Sequence, residues 1–389
     1  MHVIRARQVF DGRQFRGAAD LVLDGPNVVG VRTPSEYASA VVVEDLGDVT
    51  ILPGLVDAHQ HLTWDCSPDP VAWHTEHDDR QLLEQGRSNA RRALAAGVTT
   101  VRDLGSRGRT ALDLREETAR SATAGPTILV AGPALTTPGG HCWFLGGECA
   151  DAADLVRAVA RLDEAGVDVI KVMATGGTIT PGSAPHESQF GAAALTAVVE
   201  AAHAAGLPVA AHAHGTGGVA DAVTAGVDTI EHCSFFTAGG VAADPELVRR
   251  LAGSATIASL TGGTVPGAPL LPAIAARLPA LLAHIRALRD AGVRCILSTD
   301  AGIGPNKPPD VLPLAIAQAV QLVGIPIADA LAMCTSLAAD AIGVGSRAGR
   351  LGPGVSADAL VVAGRLDHDP SALARPVRVL RGGVPVPSP

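Results

Sequence analysis

His59 and His61 stand two positions apart at the end of the apolar run LPGLVDA (residues 52–58). On an extended strand, side chains two apart point to the same face, so both imidazoles can reach one ion. The plainer reading of such a pair is two ordinary loop histidines. Other apolar runs carry the same kind of residue at their ends: His212 is the second-last residue of LPVAAHA, His232 closes VDTIEH, and Asp300 follows VRCILST. Imidazole nitrogens suit zinc-like ions, and a carboxylate completes a mixed nitrogen and oxygen shell. Lys171 is the odd member, because VDVIKVMA buries a lysine in a strand, where an unpaired ammonium is costly. Two accounts are open: the lysine snorkels to the strand end and pairs with an acid, or its amine takes up carbon dioxide to give a carbamate, an anionic ligand able to bridge two cations.

The elements that must position these residues are short apolar runs alternating with Ala-rich amphipathic stretches over about residues 53–345, the pattern of repeated βα units. Eight strands are expected at 52–58, 97–103, 127–132, 167–174, 207–213, 227–232, 254–259 and 293–299. The intervening segments have helical spacing and end in Gly, a frequent helix stop. Eight parallel strands covered by helices predict an α/β fold of the (β/α)8, TIM-like barrel type, whose functional residues sit at the C-terminal ends of the strands. Residues 1–52 and 346–389 have short alternating strands and no long helix. Neither end is large enough for a core of its own, so they are expected to pair into one small β-sandwich beside the barrel. The Pro-rich stretch 264–279 reads as a long loop after the seventh strand.

Composition narrows the function. No apolar run reaches the roughly 18 to 20 residues of a membrane span, and the first residues lack the pattern of a signal peptide, so a cytoplasmic protein is expected. A formal charge of −9 supplies no basic stripe for nucleic acid or anionic lipid, so neither is an expected partner, whereas a homo-oligomer is open. The six cysteines are scattered and form no C-x-x-C pair; Cys233 and Cys295 read as small buried hydrophobes. The Gly-rich stretches ATGGTITPG and HGTGGVAD lack the spacing of a phosphate loop, and no serine sits in a nucleophile elbow. His186, His203, His284 and His368 read as surface or packing residues.

Taken in order, PGLVDAHQH, VTTVRDLG, IKVMATGG, AAHAHG, IEHCSF and STDAG, with GRLGPGVSADALVV as a return segment, resemble the amidohydrolase superfamily, in particular its imidazolonepropionase-like and Xaa-Pro dipeptidase-like branch. The resemblance spans nearly the whole chain. It implies two divalent ions, zinc foremost with manganese, cobalt or iron open: His59, His61 and Asp300 would hold the more buried ion, His212 and His232 the other, and N6-carboxylated Lys171 would join them. A hydroxide held between two cations is available near neutral pH. Asp300 would act as general base and then acid in hydrolysing a C–N bond of a small molecule such as a dipeptide, an N-acyl amino acid, a cyclic amide or a carbamate. The alternatives are a mononuclear deaminase or cyclic-imine hydrolase, with Lys171 unmodified, and a barrel without activity.

The resemblance also places His141, in the loop after the third strand, where similar proteins often carry a substrate-contacting His. His214 stands where some peptidase-like relatives have Tyr, a departure that counts against dipeptidase activity. Trp143 and Phe144 could wall the substrate or anchor their loop. Arg102 and Asp103 are expected to form a buried ion pair supporting the metal ligands.

Overall fold

The protein is described here from a computed structural model, which covers residues 1–39, 41–270 and 272–387. Eight parallel strands carry the site: β1 (Leu55–Gln60), β2 (Val98–Asp103), β3 (Thr127–Val130), β4 (Ile170–Met173), β5 (Val209–Gly215), β6 (Thr229–Thr237), β7 (Ile257–Thr261) and β8 (Cys295–Ser298). They form two arcs, β1-β2-β3 and β4-β5-β6-β7-β8, with every neighbouring pair parallel. The arcs touch at both ends. Gln60 bridges to Ala301 and Leu135 to Val172, and the Asp300 N–H donates to the His59 carbonyl at 2.8 Å. Strands β1, β2 and β4 are buried along their whole length, which explains their continuous apolar runs: helices cover one side and side chains of the other strands fill the other.

The helices between the strands show why the chain turns where it does. Asp79–Ala95 begins with a reciprocal capping box between Asp78 and Gln81. Ala152–Ala165 and Thr216–Ala225 end on Gly166 and Gly226, whose φ values of 80° and 77° reverse the chain into β4 and β6. The repeated AGV phrases of the sequence are these helix ends.

Both chain ends build sheet. His2–Ala6 lies between Ala19–Asp24 and Val42–Asp45 in a four-stranded sheet. A five-stranded sheet pairs Val49–Pro53 with Ala359–Ala363 in antiparallel register, so strands from the two ends of the sequence are hydrogen-bonded side by side. One apolar cluster, including Ile4, Leu21, Ile51, Val361 and Leu380, draws on both sheets.

Two expectations need correction. The run 52–58 is not one strand: it divides at Gly54, where a Cβ would lie 2.1 Å from Thr99 Oγ1, and the part before the glycine belongs to the terminal sheet. The expected loop 264–279 is shorter, because the helix Pro272–Asp290 already includes its last eight positions. Pro272 suits a first helical turn, where its missing N–H costs nothing, and Pro279 is accommodated inside the helix despite the usual penalty.

Candidate metal centre

The strand ends bring two donor groups face to face. In the first, Asp300 Oδ1 lies 3.2 Å from His59 Nε2 and 3.1 Å from His61 Nε2. The other nitrogen of each ring is already engaged: His59 Nδ1 is 3.0 Å from Glu231 Oε2, and His61 Nδ1 is 3.3 Å from the Gly105 carbonyl. Both Nε2 atoms are thereby turned towards Asp300. The acceptor Glu231 is fully buried on β6 and takes a second bond from Arg102 Nη2 at 2.9 Å. Burial alone would raise the Glu231 pKa, but Arg102, His59 and Lys171 outweigh it and hold the carboxyl well below its usual range. Asp300 behaves alike, its burial overcome by His59, His61 and His232, so it is a carboxylate.

The second group is His212, His214 and His232, whose ring nitrogens lie within 4.8 Å of one another. His212 Nε2 is 3.0 Å from the Gly176 carbonyl, and His232 Nδ1 is 2.7 Å from Thr261 Oγ1, so each ring has one nitrogen left for an ion. Burial drives the pKa of both far down, and they stay neutral, the form that binds metals. His214 differs. Its ring stacks on His232 with centroids 4.1 Å apart and planes 22° from parallel, and on its other contact it stacks with Phe236 at 5.0 Å. Lone pairs in nearly parallel, stacked planes do not converge on one ion at the 2.0–2.1 Å of a zinc–nitrogen bond.

Backbone strain collects here. His232 (φ 69°), Cys233 (φ 51°), Phe235 (φ 53°) and Asp300 (φ 60°) all adopt left-handed backbone without being glycine. Each such residue costs on the order of 1–3 kcal/mol, a cost usually found where a side chain must be aimed. It also corrects the expected end of the sixth strand: β6 continues beyond His232 to Thr237, kinked at His232.

Lys171 enters the same cavity. It is 1 % exposed, its Nζ has no hydrogen-bond partner, and burial pulls its pKa down to about 8 although Glu231 and Asp300 favour the charged form. A buried amine with no partner is an anomaly that calls for a missing one. The imidazoles and the Asp300 carboxylate fit divalent ions of the zinc type: His59, His61 and Asp300 could hold one, and His212 and His232 could contribute to a second.

Eight of the nine expected site residues line this one small cavity of about 40 Å³: His59, His61, Lys171, His212, His232, Asp300, His141 and His214. His141 is held by Thr180 Oγ1 at 2.9 Å from its Nδ1, with burial lowering its pKa to about 3. Trp143 is not among the lining residues; it is 38 % exposed, and its neighbour Phe144 packs against Trp64 and His74. The expected pair of Arg102 with Asp103 is also replaced. Adjacent residues on a strand point to opposite faces, so Arg102 reaches Glu231 while Asp103 accepts from the Leu62 and Gly105 N–H groups. Glu231, Thr261, Trp64, Ile179 and Ile303 were not anticipated. Glu231 left a trace, since a buried Arg102 demands an acid; the others lie outside any motif.

The amidohydrolase family profile matches residues 50–386. The chain belongs to the amidohydrolase family. It is therefore a hydrolase acting on carbon–nitrogen bonds. Among curated members of the family, it is 28% identical over 356 residues to an ochratoxinase of Aspergillus niger, covering 80% of this chain and 70% of that protein. It is also 28% identical over 380 residues to an imidazolonepropionase of Deinococcus radiodurans, covering 89% and 86%. Among solved amidohydrolase structures, a Xaa-Pro dipeptidase with bound methionine superposes with a TM-score of 0.84 at 25% identity, over 99% of both chains. The A. niger ochratoxinase structure gives 0.85 at 23% identity over 100% and 96%, a likeness of fold. No helix among the described residues is long and apolar enough to cross a membrane.

Proposed function

We propose that this amidohydrolase cleaves the C–N bond of a small amide-like substrate at a two-ion centre. The centre sits in the mouth of a closed (β/α)8 barrel (residues 53–345), beside a composite β-sandwich of residues 1–52 and 346–389. The contacts between the two arcs at Gln60–Ala301 and Leu135–Val172 support the barrel, and the sheet shared by Val49–Pro53 and Ala359–Ala363 supports the sandwich. The observation that carries the functional reading is Lys171: a buried, unpartnered amine lining the cavity between two donor groups. As an N6-carboxylate it would exchange a costly isolated amine for an anionic ligand shared by two cations.

On this reading His59, His61 and Asp300 hold one ion and His212 and His232 the other, zinc being the best match to nitrogen and oxygen donors. Bound there, the ions supply Lewis acidity to the carbonyl and a water acidic near neutral pH. The protein supplies the rest. Asp300, kept ionised by the surrounding imidazoles, takes a proton from the attacking water and returns it to the leaving nitrogen. His141 and His214 each have Nδ1 tied to a hydroxyl, of Thr180 and Ser234 respectively, which leaves Nε2 to orient the substrate. The six free cysteines suit a reducing, cytoplasmic setting.

The test is a screen of metal-loaded protein against dipeptides, N-acyl amino acids, lactams, carbamates and ureas, with metal counted per chain. Turnover of at least one class with two ions bound is expected. Full activity with one tightly bound ion would instead support a mononuclear deaminase or cyclic-imine hydrolase.

A further inference from the structure

Apart from His141, His214 and Thr178, the sides of the cavity that offer no metal donor are apolar. Trp64 follows β1, Met173 closes β4, Ile179 comes from the loop behind β4, and Ile303 from the loop after Asp300. Trp64 and Met173 are buried, whereas Ile179 and Ile303, together with Val71 of the helix Pro70–Glu76, are partly exposed and pack on the same apolar cluster. The apolar surface thus continues outward from the ligands to the partly open side of the site.

Charge is scarce along that surface. Among the described residues lining the cavity, Lys171 is the one cation, and it belongs to the metal-binding set. The neighbouring Lys307 donates to the carbonyls of Thr299 and Gly262. Arg277 sits over the Phe236 ring, 5.3 Å from its centroid, and is not part of the lining. A carboxylate moved from water to this wall would lose hydration without gaining a counter-charge from the protein, while an apolar group would gain by leaving water.

We propose that the substituent this enzyme accepts beside the scissile bond is uncharged and apolar, an aryl or branched alkyl group. Neutral amides, carbamates and ureas are then preferred over dipeptides and N-acyl amino acids with a free α-carboxylate. The inference rests on the hydrolase reading above. For an amide, the water oxygen joins the carbonyl carbon, the C–N bond breaks, and the nitrogen leaves as an amine with the transferred proton, so no further reactant is needed.

A matched pair isolates the charge: N-hexanoyl phenethylamine and N-hexanoyl phenylalanine differ only by the α-carboxylate. Their kcat/KM values on the metal-loaded enzyme are compared, and binding is measured by calorimetry with ketone isosteres in which CH2 replaces the amide NH. Binding is read without turnover, so absent hydrolysis would count against the hydrolase reading and leave the binding preference to judge this one. The neutral isostere is expected to bind about tenfold or more tightly, and Ile303→Arg to shrink or invert the difference. Equal or tighter binding of the carboxylate isostere, or binding of neither, would overturn the proposal. A carboxylate preference abolished by Arg277→Ala would assign that charge to Arg277 instead.

Discussion

The two halves of the centre are held by different forces. The His59–His61–Asp300 half rests on charge: Glu231 fixes His59, Arg102 fixes Glu231 while also donating to the Ala58 carbonyl, and the chain of partners is wholly buried. The His212–His232 half rests on neutral groups, a backbone carbonyl and the Thr261 hydroxyl. The first half carries a negative charge of its own in Asp300; the second has imidazoles alone. An ion in the second half would gain charge balance from an anionic ligand supplied from elsewhere, and on the proposed reading Lys171, as an N6-carboxylate, is the residue in place to provide one. The comparison teaches that the proposed bridge would matter more to the second site than to the first.

Lys171→Ala breaks the comparison most directly. It is expected to lose the ion of the His212–His232 half and nearly all turnover, with the first half still loaded and activity partly restored by added short-chain carboxylates. Metal analysis and kinetics check it, and unchanged metal and turnover would remove the bridge. Next comes Glu231→Ala, which strands the buried Arg102 guanidinium and frees His59 Nδ1. A loss of about 3–5 kcal/mol of stability is expected by chemical denaturation, the range for breaking a buried charge pair.

The support behind the first half is pH-sensitive. His74, wedged against Trp64 and Phe144 with Nε2 unpartnered, has its pKa lowered by burial from 6.5 to about 4. Between those values the unfolded chain binds the extra proton, so this contribution is intact above pH 6.5 and is lost as pH falls towards 4. It amounts to about 3 kcal/mol at 1.36 kcal/mol per pKa unit. His74→Leu is expected to flatten the stability profile over that window in equilibrium unfolding. The smallest effect belongs to the neutral half: Thr261→Val removes one hydrogen bond to His232 and is expected to cost about 1 kcal/mol in stability. A tenfold or so weaker second ion is expected beside it in metal titrations, the first ion being unaffected.

The residues that gather at the site were legible because each obeys a local rule. His59 and His61 share a face through the two-residue period, and His212, His232 and Lys171 sit on, and Asp300 directly after, apolar runs that only strands explain. The βα alternation was legible for the same reason. What stayed hidden depends on contacts distant in sequence. Glu231 acts across 172 residues on His59, and nothing in TIEH separates it from a solvated acid. His214 shares a strand face with His212, but only the ring geometry turns it towards His232 and Phe236. The choice left open for Trp143 and Phe144 could not be made locally: the left-handed turn at Cys142 leads the chain so that Trp143 stays partly exposed and Phe144 is buried. The helix Pro272–Asp290 was masked by its own prolines.

The central claim is that two ions act together across Lys171. Stepwise loading of metal-free protein with zinc, in the presence of bicarbonate, while activity and bound metal are followed on the same samples, tests it most directly. The account expects activity to rise mainly with the second equivalent and to plateau at two ions per chain, with a carbamate carbon appearing in labelled-bicarbonate spectra of the wild type and not of Lys171→Ala. Full activity at one ion per chain, with no carbamate signal, would contradict it.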